Sequence, residues 1–240
     1  MKRLDLGRRK LLSRALALGA LTALPACDYD DPSNPDLADK FLHMMSAFND
    51  RVQQALFNPH TLAPTFSASQ ITNPPRFNAF YDISQAPLVD PATYKLELGG
   101  QIQERSPWTL AALRTLPQES QITRLICVEG WRVIGQWSGV RLSEYLRRVG
   151  ADTTCKYVSF KCADGYYSSI DMESALHPQT ILALDFLGAP LTPPFGAPVR
   201  LRIPTKLGFK NPKSIMQLAV GNVYTGGYWE DQGYNWFSGS

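Results

Sequence analysis

The chain has 240 residues, of which 24 are Lys or Arg and 21 are Asp or Glu, so its formal net charge is +3. Residues 1–26 contain six of the basic and one of the acidic residues, which leaves 18 basic and 20 acidic residues in the 214 that follow. This excludes a general electrostatic affinity of those 214 residues for nucleic acid. Their number suffices for one domain with a substantial core.

Residues 1–26 have the pattern of an export signal. The paired Arg8 and Arg9 precede two leucines, which is the order of a twin-arginine signal. The apolar stretch that follows, residues 15–25, is too short to cross a bilayer. Because the twin-arginine route carries folded proteins, the signal predicts a periplasmic protein that acquires any cofactor in the cytoplasm.

Residues 24–27 resemble a lipobox, although Pro25 is an uncommon residue at its position. Cys27 would be the acylated residue, and the aspartate that follows it often indicates retention at the inner membrane. The prediction is a lipid anchor at Cys27. The alternative is ordinary cleavage nearby and a soluble periplasmic protein.

Residues 27–77 divide into three parts that precede the main domain. Residues 28–36 are acidic and contain prolines, as expected of a tether. Apolar side chains recur at helical spacing in residues 37–57, which predicts an amphipathic helix whose methionines serve packing. Residues 58–77 are rich in Pro, Ser and Thr without periodicity, so they are predicted to wrap over the surface of a domain spanning residues 78–240.

Short strands and short helices alternate in residues 78–240, separated by Gly and Pro turns. Strands are predicted at residues 94–98, 157–160, 181–186, 199–203 and 215–220, with a Gly99–Gly100 turn after the first. Helices are predicted at residues 106–116, 142–149 and 171–176. No dinucleotide-type glycine fingerprint follows a strand, so the pattern predicts a mixed, turn-rich α+β domain and not a Rossmann fold.

Three cysteines lie beyond the predicted lipobox. Cys127 ends an apolar run before a Gly-containing turn, where a thiolate can ligate a soft metal. A buried structural cysteine is the simpler alternative. Cys155 and Cys162 flank one predicted strand on the order of 20 Å apart, too far for a disulfide. Because three is an odd number for an oxidising compartment, at least one thiol is expected to be free or bound.

Three ordered motifs resemble the molybdopterin domain of the sulfite oxidase superfamily. They are Cys-Val-Glu-Gly-Trp at residues 127–131, Phe-Gly-Ala-Pro-Val-Arg at residues 195–200 and Gly-Phe-Lys-Asn-Pro-Lys-Ser at residues 208–214. Within the superfamily, residues 78–220 are most similar to the catalytic subunits of periplasmic protein-methionine-sulfoxide reductases. The resemblance implies a sulfite-oxidase-type α+β fold.

The resemblance also implies a mononuclear molybdenum centre with one molybdopterin, held by the thiolate of Cys127 and used for oxygen-atom transfer. Its cofactor contacts carry over to Asn78, Tyr81, Asp82, Cys162, Phe195, Asn211, Pro212 and Lys213. Residue chemistry adds Arg200, whose guanidinium can fork onto a phosphate or pterin oxygen. Lys206, Lys210 and Lys213 lie in a Gly/Pro loop where ammonium groups can converge on phosphate, although a solvated loop would look the same.

Several of these positions depart from the family pattern. Asp82 replaces a glutamate, Cys162 replaces a threonine, and Phe195 replaces an asparagine that would hydrogen-bond the cofactor. Pro212 has no N–H to donate. These departures weaken the prediction of the substrate more than the prediction of the cofactor.

Trp131 and Arg132 are the residues predicted to determine which substrate the site accepts. Sulfite oxidases place an arginine at the offset of Arg132 to bind sulfite, although the motif around theirs is absent here. Trp131 could wall an apolar pocket for a sulfoxide or thioether, or it could be a core aromatic. The aromatic tail, residues 228–237, is predicted to close over the domain near the pocket mouth.

The resulting hypothesis is an exported, monomeric molybdopterin-dependent oxidoreductase that reduces a sulfoxide, such as methionine sulfoxide, or a related oxide. The haem and dimerisation domains of sulfite oxidases are not recognised, so electrons are expected from a membrane haem protein or a soluble cytochrome. Three alternatives stay open: a sulfite-oxidising enzyme, a non-catalytic molybdopterin-binding protein, and a thiol-based redox lipoprotein using Cys155 and Cys162.

Overall fold

The computed structural model describes residues 35–77, 79 and 81–240. The predicted twin-arginine signal, Cys27 and Asn78 lie outside the described residues. Contacts divide the chain into two units, Met1–Ser46 and Ala47–Ser240, and both sheets belong to the second. Among the helices that are described, none is both long and apolar enough to cross a membrane.

Helix α1 (Pro35–Leu56) confirms the helix predicted at residues 37–57. Within the second unit, polar side chains of helix α1 form hydrogen bonds with the C-terminal residues. Asp50 accepts hydrogen bonds from the backbone N–H groups of Trp236 and Phe237, and Gln53 accepts one from Gly239. The apolar residues of the same stretch, Phe48, Val52 and Leu56, are exposed, which differs from the expectation that this face packs.

The segment of residues 58–77, for which a path over the domain surface was predicted, contacts the edge strand β3 of a sheet. Thr65 forms a β-bridge with Thr123, and the N–H of Phe66 donates to the carbonyl of Ile122. The side chain of Gln179 holds the segment at a second point through two hydrogen bonds to the backbone of Ala63.

The first sheet contains β1 (Lys95–Gly100), β2 (Trp108–Thr109), β5 (Tyr157–Cys162), β6 (Tyr167–Asp171) and β10 (Ile215–Gly221), in the order β2-β1-β10-β5-β6. Strands β1 and β10 are parallel, with Leu98 opposite Leu218, and the other pairs are antiparallel. This sheet therefore joins an early strand of the second unit to a late one.

The second sheet contains β3 (Gln118–Ile126), β4 (Arg132–Arg141), β7 (Ile181–Phe186) and β8 (Ala189–Pro190) in that order, and β9 (Arg200–Arg202) also pairs with β7. All of its pairs are antiparallel. Apolar side chains from both sheets form one buried core that includes Leu96, Phe160 and Leu184. A smaller cluster surrounds Trp137 and Phe186.

Three short helices complete the second unit: α2 (Leu110–Arg114), α3 (Leu142–Arg148) and α4 (Met172–Leu176). Thr109 caps α2 and Asp171 caps α4, each accepting a hydrogen bond from a backbone N–H of the first turn. Single 3₁₀ turns lie at Ala68–Gln70, Ile83–Gln85, Pro193–Phe195, Gly208–Lys210 and Glu230–Gln232.

The predicted elements are largely confirmed, with two corrections, whereas β4 and β6 were not predicted. The predicted Gly99–Gly100 turn is wrong, because both glycines continue β1. Gly100 has a φ of +73°, and a Cβ there would lie 2.0 Å from the carbonyl oxygen of Val220, so only glycine lets the two strands approach. The helix predicted at residues 106–116 is shorter, since β2 occupies its first part.

Candidate active site

A tight turn connects β3 to β4 and places Cys127 at the end of β3. The N–H of Cys127 donates to the carbonyl of Trp131 at 2.9 Å, and the N–H of Gly130 donates to the carbonyl of Cys127 at 3.1 Å. Gly130 has a φ of +87°, which a residue with a side chain rarely adopts. Cys127 thus follows the apolar strand β3 and opens a Gly-containing turn, as the sequence pattern indicated.

Cys127 lines a cavity of about 530 Å³. Residues from the first and the third sequence motif and from the start of the predicted domain meet there. The predicted site residues that line the cavity are Tyr81, Asp82, Cys127, Trp131, Asn211, Pro212 and Lys213. The fold thus brings together segments that are far apart in the sequence.

Glu129 connects the thiol to the indole of Trp131. Its carboxylate accepts a hydrogen bond from the indole N–H at 2.6 Å, and the Cys127 thiol lies 3.8 Å from the same oxygen. Burial raises the pKa of the Cys127 thiol, and backbone N–H groups of Glu129 and Val128 act against that shift. A thiolate here would therefore be stabilised by a bound metal cation.

Two wholly buried arginines lie in β9. The guanidinium of Arg200 donates to the carbonyls of Phe195, at 3.0 Å, and Asn211, at 3.4 Å. Arg202 donates to the side chains of Asn211 and Thr123 and to the carbonyl of Arg124. Burial lowers the pKa of Arg200 to about 10 and that of Arg202 to about 9.

Lys213 is the buried cation that reaches the cavity itself. Its ammonium donates to the carbonyl of Pro194 at 2.8 Å and lies 4.3 Å from the ring centre of Phe77. Burial and the charge of Arg200 lower the pKa of Lys213 to about 7, while Asp164 acts in the opposite direction. A bound anion would reverse this shift.

The chemistry of these residues fits an anionic molybdopterin. Among the described residues, the buried Nε of Arg200 and the buried hydroxyl of Ser214 have no hydrogen-bond partner. The hydrogen bonds that both guanidiniums do make go to neutral oxygens and not to carboxylates. A phosphate or pterin oxygen would supply the missing acceptors and the missing negative charge.

The structure does not bring Arg132 to the cavity. Arg132 is the first residue of β4 and is exposed, while the next residue, Val133, is buried in the core. The alternation of side chains along a strand therefore directs the arginine away from the protein interior. The expectation that Arg132 faces the substrate is not met.

Lys206 and Lys210 are also placed elsewhere, although the loop pattern suggested phosphate contacts. The Lys206 ammonium lies 3.3 Å from a carboxylate oxygen of Asp171 and packs on the ring of Phe237. Lys210 forms a buried ion pair with Glu230. Both lysines are therefore engaged within the protein.

Phe195 and Cys162 lie beside the cavity without lining it. Phe195 stacks on Phe186, with ring centres 4.8 Å apart. This apolar contact is consistent with a phenylalanine at a position where the family pattern has an asparagine. Cys162 is buried at the end of β5, and burial raises the pKa of its thiol. Cys127, Cys155 and Cys162 are all free thiols, so the expectation that Cys155 and Cys162 do not form a disulfide is confirmed.

Sequence reasoning missed several cavity residues. Arg76 lies with its guanidinium 4.6 Å from the ring centre of Trp131. Asp164, Tyr166 and Phe209 also line the cavity. Arg76 belongs to the wrapping segment, outside the three motifs, so no signal marked it. Trp229 and Tyr234 also line the cavity, which confirms that the aromatic tail reaches the pocket.

Residues 83–229 match the family described as "Oxidoreductase molybdopterin binding domain". A protein of Azospira oryzae with the provisional name protein-methionine-sulfoxide reductase subunit YedZ1 is 52% identical over 97% of this chain and 88% of its own length. The protein-methionine-sulfoxide reductase catalytic subunit MsrP of Xanthomonas axonopodis is 33% identical, over 58% of this chain and 48% of its own length. The match thus spans about half of that relative.

The crystal structure of the sulfane dehydrogenase SoxCD from Paracoccus pantotrophus is similar in fold, with a TM-score of 0.55 and 20% sequence identity. The similarity covers 58% of this chain and 41% of that one. Together with the mixed sheets, it shows the sulfite-oxidase-type α+β fold predicted from the motifs.

Proposed function

Because the chain belongs to the family of oxidoreductase molybdopterin-binding domains and is a molybdopterin-dependent oxidoreductase, we propose that it reduces the sulfoxide of methionine or a related oxide. The observation that carries this proposal is the half-buried thiol of Cys127 in an aromatic-walled cavity beside buried cations. The names of its relatives, protein-methionine-sulfoxide reductases, support the same substrate class.

The predicted site residues that lie at the cavity then have roles that their positions support. Cys127 would hold the metal, and Lys213 and Asn211 would hold the pterin or its phosphate with Arg200 behind them. When bound, the cofactor supplies two-electron oxygen-atom transfer. We propose the mononuclear form with one pterin, as the sulfite-oxidase resemblance implies, with Cys127 as the cysteine that lines the cavity among the described residues.

The balanced reaction is a sulfoxide plus two electrons and two protons, giving a thioether and water. The residues of the cavity wall bind and orient the substrate for this step. Trp131 offers an apolar face to the groups on sulfur, and its ring is fixed by Glu129 and Arg76. The electrons come from a separate redox protein, for which a membrane haem protein or a cytochrome remains our proposal.

The condition that would favour sulfite oxidation is not met, because Arg132 is not among the described residues that line the cavity. The thiol-redox alternative also loses support, since Cys155 and Cys162 are both buried and lie at opposite ends of β5. Sulfoxide reduction is therefore the function that the cavity favours.

We further propose export to the periplasm by the twin-arginine route and a lipid anchor at Cys27, both from the sequence pattern of residues 1–27. Replacing Arg8 and Arg9 by lysines should leave the protein in the cytoplasm. Cys27→Ser should release it from the membrane fraction while export continues. Membrane association that survives Cys27→Ser would exclude the lipid anchor as its cause.

The test of function uses holoenzyme folded in a host that makes the cofactor. Wild type should contain one molybdenum per chain, and Cys127→Ser should lose or strongly reshape the metal's absorption bands. Reduced viologen should be oxidised by wild type with methionine sulfoxide. Turnover of sulfite with cytochrome in place of sulfoxide reduction would reverse the assigned direction, and metal-free wild type would overturn the proposal.

A further inference from the structure

A short segment after β10, residues 226–234, forms part of the cavity wall; it is called the strap below. Trp229 and Tyr234 of the strap line the cavity. Glycines with positive φ lie at the start of the strap and just before its last residue, Gly226 at +66° and Gly233 at +93°. Within the strap the N–H of Tyr234 donates to the carbonyl of Trp229, which folds the segment into a compact loop.

A buried ion pair fixes the strap to the loop that precedes β10. Glu230 pairs with Lys210, and each of the two side chains is only 1% exposed. Lys210 also donates to the carbonyl of Ser169, and the hydroxyl of Ser168 donates to Glu230 at 3.2 Å. Lys210 stands next to Asn211, a cavity residue, so the pair joins the strap to the cavity's other wall.

The strap is fixed at further points along β6. Asp231 accepts a hydrogen bond from the hydroxyl of Tyr167, and the N–H of Tyr228 donates to the carbonyl of the same tyrosine at 2.9 Å. Gly227 leaves the space that the Glu230 carboxylate occupies, since a Cβ there would lie 2.1 Å from its oxygen. Four contacts with residues outside the strap therefore hold this segment of nine residues.

The fixed strap presents an aromatic surface. The ring centres of Trp229 and Tyr234 are 5.2 Å apart, and Tyr234 packs edge-on against Phe209 at 5.8 Å. Phe209 also lines the cavity. Rings that are held in this way contact an apolar group without losing rotational freedom on binding, which favours affinity.

From this arrangement we infer that Trp229 and Tyr234 are specificity-determining residues that bind the apolar group carried on the substrate's sulfur, and that the Lys210–Glu230 pair is the positioning device that holds them. The inference rests on the proposed sulfoxide reduction. It adds a substrate class: sulfoxides with a large apolar or aromatic substituent are preferred over dimethyl sulfoxide.

The test compares two sulfoxides with the holoenzyme and reduced viologen. Trp229→Ala and the milder Trp229→Leu should raise KM for methyl p-tolyl sulfoxide about tenfold and that for dimethyl sulfoxide less than about twofold. Tyr224→Ala is the matched control, because Tyr224 is an aromatic residue of the same C-terminal region that packs on Tyr157 and Trp236. It should change neither KM.

Binding measured by calorimetry without reductant separates this inference from the proposed function. Wild type that binds methyl p-tolyl sulfoxide without reducing it overturns the proposed reduction, and weaker binding by both Trp229 variants then still supports the strap. Equal binding by wild type, the Trp229 variants and the control overturns the strap's role. Wild type that does not bind the tolyl compound overturns it as well.

The positioning role of the ion pair is tested by a double substitution. Glu230→Gln leaves Lys210 buried without its counter-charge and should raise KM for the tolyl sulfoxide as Trp229→Ala does, with kcat for dimethyl sulfoxide retained. Glu230→Gln combined with Lys210→Met removes both charges and should return KM to within about threefold of wild type. Equal loss of kcat for both substrates, without a change in the KM ratio, would overturn the positioning role.

Discussion

Trp131 is held from two directions at the cavity. Its indole N–H donates to Glu129, and the guanidinium of Arg76 lies over its ring. A ring fixed by a charged hydrogen bond and a cation–π contact keeps one orientation, whereas a free indole would exchange between rotamers. Arg76, although it lies outside the sequence motifs, therefore determines the shape of the substrate pocket.

Arg76→Ala should raise KM for a sulfoxide about two- to fivefold, because a cation–π contact contributes on the order of 0.5–1 kcal/mol. Arg132→Ala is the comparison at the exposed start of β4 and should change KM less than about twofold. Steady-state kinetics of both variants checks this. A larger effect at Arg132 than at Arg76 would restore Arg132 as the substrate arginine.

Lys213 makes the cofactor-free protein sensitive to pH. Burial lowers the pKa of Lys213 from 10.5 to about 7, so between these values the unfolded chain binds a proton that the folded protein lacks. Stability therefore rises with pH across this window and falls as the pH decreases towards 7. The free energy of unfolding of the cofactor-free protein should increase by about 2 kcal/mol more in wild type than in Lys213→Met from pH 7 to pH 9.

Denaturant unfolding at several pH values, with protein from a host that lacks the cofactor pathway, measures this difference. Lys161→Met, at an exposed lysine, should follow the wild-type curve. Parallel curves for wild type and Lys213→Met would show that Lys213 keeps its proton in the folded protein.

At the scale of elements, the pairing of β4 with β7 is irregular at a glycine. The register between β4 and β7 shifts between Ser138 and Gly139. A Cβ at Gly139 would lie 2.0 Å from the carbonyl oxygen of Leu182 and 2.7 Å from the Cα of Ala183. Both atoms belong to the backbone of β7, so neither can move aside without displacing the strand.

Gly139→Ala should therefore lower the free energy of unfolding by about 2–3 kcal/mol, as overpacking does in well-packed interiors. Gly221→Ala is the control at the end of β10, where a Cβ would meet nothing within 4 Å. Thermal and denaturant unfolding should rank wild type and Gly221→Ala close together and Gly139→Ala well below both. Equal stability of the two variants would mean that the backbone of β7 can shift away from the added methyl group at little cost in free energy.

Strands with continuous apolar runs could be predicted from the sequence, and β7 was predicted with its observed bounds. Strand β4 was not predicted, because Gly135, Ser138 and Gly139 interrupt its alternation. The Gly99–Gly100 prediction failed for a related reason. Two glycines usually indicate a turn, but here they let β1 approach β10 closely, which is a tertiary effect.

The same limit applies to the candidate site. Cys127, Lys213 and the other cavity residues of the first and third motifs could be predicted, because local spacing carries their signal. Arg132 was assigned by its offset from the cysteine, which ignored the strand that directs its side chain outwards. Lys210 was assigned to phosphate, because its partner Glu230 is distant in sequence and only the fold brings the two together.

For the whole second unit, helix α1 and the chain end stabilise each other. The carboxylate of Asp50 accepts hydrogen bonds from two successive N–H groups, those of Trp236 and Phe237. Phe237 in turn packs on Phe57 and on the ammonium of Lys206. Residues that follow the strap are therefore fixed through a contact with the beginning of the unit.

Asp50→Ala should free this chain end and lower stability by about 2 kcal/mol, since it removes two hydrogen bonds to a charged group. Hydrogen exchange at the amides of Trp236 and Phe237 should accelerate at least tenfold, about 1.4 kcal/mol of local protection. Asn49→Ala, at the exposed neighbouring position, should leave exchange unchanged. Unchanged exchange in Asp50→Ala would place the anchor elsewhere.

The parallel pairing of β1 with β10 also constrains the order in which the protein is made. Strand β1 cannot acquire its parallel neighbour β10 until synthesis has passed Gly221, and the aromatic wall at Trp229 and Tyr234 follows later still. A ribosome-bound chain therefore has its cysteine turn before the wall of its cavity is complete. The growing polypeptide passes through a stage in which Cys127 is present but Trp229 and Tyr234, the aromatic side chains that line the same cavity, are not yet in place.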